Sequence, residues 1–335
     1  MSAPNLNDGG PLAGHEGASV LVTGASGFVG THLCAMLADH GWRVVAASRS
    51  PVSDFHNGRI KPVVLSLSSD PSAWQSALSS VHCVVHLAAH VHRLGRRERS
   101  ATTFDEVNVQ GSRFVAEQAA QARVRRLVYL SSIKVNGEGA GDTAYRPQDV
   151  PLPTDAYGES KWKAELALHE VCARETMELI VIRPPLVYGP GVRANFRRLM
   201  RWASLGVPLP FASIDNRRSL VNVWNLAHFI ETCLIHAKAP GNTFLLSDGE
   251  DLSTPALIRK ISRLMDKPAR LFAFPPRAML QLSRMVGLGA EIRRLCESLR
   301  VDSTEAQATL GWRPIVGVEE GLARTVAAYR RELNR

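Results

Sequence analysis

The chain has 335 residues, of which 45% are hydrophobic and 21% charged, so it can bury a full core and has the composition of an ordinary globular protein. Its longest apolar stretches, Val81 to Ala89 and Leu179 to Val187, are broken by His, Arg or Pro and are too short to span a bilayer. The formal net charge of +9 rests on arginine groups (Arg93, Arg96, Arg97 and Arg99; Arg197, Arg198 and Arg201; Arg217 and Arg218; Arg293 and Arg294). Apart from Arg218 these read as solvated faces, and no motif supports a nucleic-acid partner.

Residues 1–17 are polar, rich in Gly, Asn and Pro, and read as a flexible tail without a secretory signal. Five scattered cysteines show no CxxC or Cys/His spacing, which predicts no disulfide framework, no metal and a reducing, cytoplasmic setting. From Ala18 the chain alternates short apolar strands with helical patterns. A strand running into Gly24 is followed by a helix over Phe28–His40, then by strands at Arg43–Ala47, Lys61–Leu67, Cys83–Ala88, Arg126–Ser131 and Glu178–Arg183. Parallel neighbours need crossover helices, so this rhythm predicts an α/β fold, a Rossmann-type doubly wound parallel sheet over residues 18–185. After Pro184-Pro185 loops and broken helices take over, predicting a smaller, interleaved C-terminal substrate region over 186–335. Within it Leu220–Val223 and Thr243–Leu246 read as strands and Asn225–Ala237 as a helix, with 220–246 packing back on the main sheet.

The first strand ends in Thr23-Gly24-Ala-Ser-Gly27-Phe28-Val29-Gly30, a GxxGxxG run at a strand-to-helix turn. Missing side chains there let a pyrophosphate reach the backbone, and the helix amino-terminus offers unpaired N–H groups. Further on, Tyr157 and Lys161 form YxxxK on one helical face, where an ammonium beside a phenol is expected to bring its high pKa into a useful range. Ser132 stands 25 residues before Tyr157, at a strand end.

In this order, these motifs resemble those of the extended short-chain dehydrogenase/reductase family over roughly Ser19 to Tyr329. The resemblance implies catalytic roles for Ser132, Tyr157 and Lys161, with Asn108 propping the helix and helping hold the lysine. It implies cofactor contacts at the glycine run (Gly24, Gly27, Phe28, Val29 and Gly30), at Ser66-Leu67 and at Leu87-Ala88-Ala89. Tyr157, Lys161 and Pro184 complete that set. At the end of the second strand Ser48-Arg49 stands where a carboxylate normally selects NAD, so the expected cofactor is NADP(H) or NAD(H), with NADPH favoured.

Asn195 and Arg218 resemble the residues with which the nucleotide-sugar branch holds a diphosphate, and a guanidinium fork suits that anion. Lys134 joins Ser132 and Tyr157 as an expected substrate contact, and Arg293, Arg294 and Arg300 are candidates for the uridine side. Leu310-Gly311-Trp312 resembles a structural closing segment. The implied function is reduction of a nucleotide-linked 4-keto-6-deoxy sugar for a bacterial surface polysaccharide, with a UDP-hexose 4-epimerase as the alternative and a non-catalytic redox sensor as a remote third. Ile133-Lys134 stands where 4,6-dehydratases carry Asp-Glu, which argues against dehydration. The resemblance also implies a homodimer built on a four-helix contact of Phe104–Ala122 and Tyr157–Val171.

Overall fold

The computed structural model describes residues 17–51, 58–67, 70–90, 104–139, 143–285, 287 and 289–334. The expected tail, apart from Gly17, and the group Arg93, Arg96, Arg97 and Arg99 lie outside the described residues.

Seven strands form one parallel sheet: β1 (Ser19–Thr23), β2 (Arg43–Ser48), β3 (Ile60–Val64), β4 (Cys83–His86), β5 (Arg126–Leu130), β6 (Glu178–Arg183) and, after the short β7 and β8, β9 (Thr243–Leu245). Their order is β3-β2-β1-β4-β5-β6-β9, so the chain reverses direction between β1 and β4, where a doubly wound sheet opens a crevice at its carboxyl edge. Strands β3 and β4 end sooner than their apolar runs suggest, at Val64 and His86. The residues beyond, Leu65 to Leu67 and Leu87 to His90, form loops over that edge.

Helices cover both faces. On one side α1 (Phe28–Asp39) packs with α6 (Val223–Ile235), and Leu33, Leu37, Trp42, Phe229, Phe244 and Trp312 close the core. Trp312 is buried, donates from Nε1 to His228 Nδ1 at 3.0 Å and meets Phe229 edge-on, the structural part expected of Leu310-Gly311-Trp312. On the other side lie α2 (Pro71–Leu78), α3 (Gly111–Gln121) and α4 (Ala156–Arg174), with Trp74, Leu127, Leu168 and Val181 between them and the sheet. Each such side chain contributes roughly 1.5–3 kcal/mol when fully buried.

Beyond β6 the chain builds a second cluster around Tyr188, Phe196, Leu199, Ile258 and Leu322, which carries α5 (Ala194–Leu205), α7 (Thr254–Leu264), α8 (Pro276–Met285) and α9 (Gly289–Cys296); α10 (Thr304–Leu310) packs instead on the first core through Ala306 and Leu310, and α11 (Val318–Leu333) returns to the second cluster. Strand β9 joins the main sheet beside β6, and α6 packs on it. Segment 220–222 does not join that sheet: as β8 (Leu220–Asn222) it pairs in parallel with β7 (Leu186–Tyr188), a strand hidden from sequence reading by its proline-rich surroundings. A buried cluster fixes this junction. Asp248 accepts from Tyr188 Oη at 2.7 Å, Asn222 Nδ2 at 3.0 Å and Asn225 Nδ2 at 2.7 Å.

Candidate active site

Two cavities open along the carboxyl edge of the sheet. The first, about 210 Å³, lies over the crevice between β1 and β4 and is lined by Gly24 and Gly27, by Ser48 and Arg49, and by Ala88 and Ala89. Gly24 turns with φ +68°, and a Cβ there would stand 2.9 Å from Ala88 N, so two strand ends approach more closely than any side chain permits. A Cβ on Gly30 would fall 2.3 Å from Gly24 O, which makes Gly30 a packing glycine of the turn. Phe28 and Val29 do not line this cavity: Val29 packs on the core and Phe28 meets His32 edge-on, because the first helical turn sends those side chains sideways while its backbone faces the crevice.

Ser66, Leu67 and Leu87 line the cavity as expected. Leu67 also lies against Gly111, where a Cβ would come within 2.3 Å of its Cδ1. Ser48 Oγ donates to Ser50 O at 2.6 Å, while Arg49 borders the opening. Thr23, Trp74, His90 and Val107 were not singled out by sequence reading and also line the space. Thr23 Oγ1 accepts from the amides of Leu87 and Ala88, each at 3.2 Å, and lies 2.7 Å from His86 Nδ1, which pins the crevice. Burial pushes His86 down to about 3, so it is neutral in this role. A cavity bounded by backbone amides, glycines and a helix amino-terminus fits a dinucleotide pyrophosphate.

The second cavity, about 270 Å³, is lined by Ser132, Lys134 and Tyr157 on one wall and by Asn195 and Arg218 elsewhere. These residues, 86 positions apart at the extremes, are brought together as anticipated. Pro184 faces this cavity rather than the first. Ser132 caps a short turn over Ile133–Val135, where its Oγ accepts from Lys134 N at 3.3 Å. Asp155 caps α4, accepting from Gly158 N at 2.7 Å, and so sets the pitch at which Tyr157 enters the cavity.

The tyrosine–lysine pair departs from expectation. Burial pushes the Tyr157 phenol up to about 12, the Asp155 carboxylate adds to the rise, and a hydrogen bond with Ser132 opposes it. Lys161 is not among the influences: its Nζ donates to Leu130 O at 2.6 Å and stands 4.1 Å over the Tyr129 ring. Buried at 2% exposure, its ammonium is pushed down to about 7 by desolvation, against which the Glu165 carboxylate works. Spacing on the helix put both side chains on one face, but packing turned the ammonium towards the strand.

Asn108 lies in a π-helical segment, Asp105–Gln110, ahead of α3. Its Oδ1 accepts from His90 N at 2.7 Å, and its Nδ2 donates to Ser160 Oγ at 2.9 Å. It therefore ties the first cavity's rim to the helix of Tyr157 and Lys161, as a prop rather than a direct lysine contact. Behind that helix, Arg183 grips Glu165 through Nε at 3.0 Å and Nη2 at 2.6 Å, and Ser131 donates to the same carboxylate. This buried pair fixes the strand end carrying Ser131-Ser132 against α4.

Arg218 Nη1 donates to the carbonyls of Arg294 at 2.6 Å and Glu297 at 2.8 Å. Of the three uridine-side candidates only Arg294 lines the cavity; Arg300 pairs with Asp251 at 2.8 Å and Arg293 with Glu297 at 3.8 Å. Arg198, read from sequence as surface charge, also lines it, as do Glu138, Trp202 and Thr254. On α5 the residues Asn195, Arg198, Leu199 and Trp202 follow the spacing of one helical face, the signal that marks this wall.

A sequence model of the NAD dependent epimerase/dehydratase family matches residues 20–246. The chain belongs to this family. This epimerase/dehydratase relative is 38% identical to the UDP-glucose 4-epimerase of Vibrio cholerae over 321 residues, 95% of this chain and 97% of that protein. It is 27% identical to the N-acetyl-alpha-D-glucosaminyl-diphospho-ditrans,octacis-undecaprenol 4-epimerase of Escherichia coli O157:H7, covering 92% of this chain and 94% of that one. The solved structure of MoeE5 in complex with UDP-glucuronic acid and NAD superposes with a TM-score of 0.76 at 26% identity, covering 94% of this chain and all of the other. The family member is thus an NAD(P)-dependent enzyme of the extended short-chain dehydrogenase/reductase type, and it is similar to nucleotide-sugar enzymes over nearly its whole length.

Proposed function

We propose that this enzyme is a UDP-hexose 4-epimerase that retains its NAD. The similarity to the Vibrio cholerae UDP-glucose 4-epimerase over nearly the whole of both chains carries this reading, and reverses the sequence-based preference for a reductase. Bound NAD supplies a hydride acceptor and donor beside the sugar carbon. Gly24, Gly27 and the first turn of α1 hold its pyrophosphate, while Ser66, Leu67 and Leu87 border its adenosine half. Tyr157 is placed to exchange the proton of the sugar hydroxyl, a task for which the positive charge of bound NAD would have to lower the phenol that burial raises; Ser132 orients that oxygen, and Lys161 ties the helix to the strand through Leu130 O. Asn195 and Arg218 take the diphosphate. A homodimer through α3 and α4, the latter presenting Leu166 at 49% exposure, completes the reading.

A second reading, an NADPH-dependent reductase of a 4-keto-6-deoxy sugar nucleotide, is favoured by Arg49 at the first cavity's edge, where none of the described lining residues is a carboxylate. The two separate in one experiment. Purified enzyme that carries NAD and equilibrates UDP-glucose with UDP-galactose without added reductant supports the epimerase. Enzyme that arrives without cofactor and oxidises NADPH only with UDP-4-keto-6-deoxy-N-acetylglucosamine overturns it.

A further inference from the structure

Beside the reactive tyrosine the second cavity holds an alternating set of charges. Lys134 Nζ pairs with Glu138 Oε1 at 2.6 Å and with Asp155. Arg294 closes the set, with Nε 3.3 Å from the same Glu138 oxygen and Nη2 4.0 Å from Asp155 Oδ2. All four side chains are only 20–32% exposed, so their charges act on one another with little screening. Asp155 is anchored further by Gly158 N, and its pKa is lowered by these partners although burial opposes them. Lys134, Glu138 and Arg294 all line the cavity, so this is part of its wall.

The remaining lining cations are differently placed. Arg218 has Nη1 committed to two carbonyls, and the Arg198 guanidinium has no hydrogen bond or ion pair among the described residues. A nucleoside diphosphate sugar brings a negative charge on each of its two phosphates, and these two guanidiniums match that demand. Two further carboxylates, Glu291 and Glu297, line the same space. Once the diphosphate is held, every remaining cation of the wall already serves a carboxylate.

We infer that the sugar subsite is built for an uncharged hexose and rejects a uronic acid. The inference rests on the UDP-hexose reading and adds what the sugar subsite excludes and through which residue. Glu138 is the discriminating group. Its carboxylate accepts hydrogen bonds from sugar hydroxyls, while a uronate arriving beside it meets a like charge and an ammonium already shared between two carboxylates. Lys134 reads from sequence as a substrate contact, yet its two acidic partners leave it no free charge for an anion.

The test measures binding of UDP, UDP-glucose, UDP-N-acetylglucosamine and UDP-glucuronic acid to the NAD-loaded enzyme by calorimetry, for the native chain and for Glu138→Gln. The native enzyme is expected to bind UDP-glucuronic acid about tenfold or more weaker than UDP-glucose, the effect of one uncompensated charge contact. Glu138→Gln should narrow that gap severalfold and leave the affinity for UDP unchanged. Native enzyme that binds UDP-glucuronic acid as tightly as UDP-glucose overturns the inference whatever the variant does. Failure to bind UDP at all overturns the UDP-sugar reading and the inference with it, whereas firm UDP binding with a preference for the uronate overturns the inference alone.

Discussion

The two cavities are built from different materials. The first is a backbone structure: glycines, strand-end amides and a helix amino-terminus, with Thr23 and His86 holding the strand ends. The second is a side-chain structure, in which Lys134, Glu138, Asp155 and Arg294 converge and neutralise one another while Arg218 donates to two backbone carbonyls. A backbone cradle tolerates little change of shape, because a single Cβ collides with it. A charged wall keeps its shape under substitution but changes what it accepts.

The sharpest break in that comparison lies at Tyr157, which lines the second cavity and not the first. Tyr157→Phe should lower sugar turnover on the order of 10³-fold while leaving NAD binding within about twofold of the native value, measured by turnover and by cofactor titration. Equal losses in both would show that the phenol serves the cradle.

On the backbone side, Gly24→Ala forces a side chain onto Ala88 N at a φ of +68°. Strain of about 1–3 kcal/mol is expected to cut NAD affinity roughly 10–100-fold and to lower the melting temperature, with UDP affinity little changed. Unaltered NAD affinity would contradict the close approach of β1 and β4. On the side-chain side, Arg198→Ala should weaken UDP binding by about tenfold and leave NAD binding and the melting temperature unaltered, since that guanidinium makes no hydrogen bond or ion pair among the described residues. A drop in thermal stability would assign Arg198 to the scaffold instead.

The smallest effect is one of stability against pH. Lys161 is held at about 7 by burial, below its ordinary 10.5, so the fold disfavours its charged form. That cost is present in full below pH 7 and fades as pH rises towards the unfolded value. Lys161→Met is therefore expected to raise the melting temperature most near pH 6, by a few degrees, with the gain shrinking towards pH 10. A gain that does not vary with pH would trace to packing rather than charge.

The alternating strands and the GxxGxxG turn were legible because periodicity and glycine spacing are local properties. They located the sheet, its crevice and Gly24, Gly27, Ser66, Leu67 and Ala88 within it. Ser132, Asn108 and Tyr157 were legible as an ordered series. The partners of Lys161 were not: i to i+4 spacing sets a face, but the choice between Tyr157 and Leu130 O belongs to the strand beneath. Glu165 and Arg183 carried no role in the sequence reading, and only their joint burial behind Ser131 shows them as a clamp.

Sequence by itself determined the parallel sheet, the dinucleotide crevice and the order of the reactive residues, because each follows from spacing along a few neighbouring turns and strands. Tertiary structure alone decided that Arg198 enters the second cavity, that Lys134 is neutralised there, and that burial rather than a neighbouring ammonium governs Tyr157. Charge and proton affinity depend on what surrounds a group in space, and those surroundings are assembled from segments that the linear chain keeps far apart.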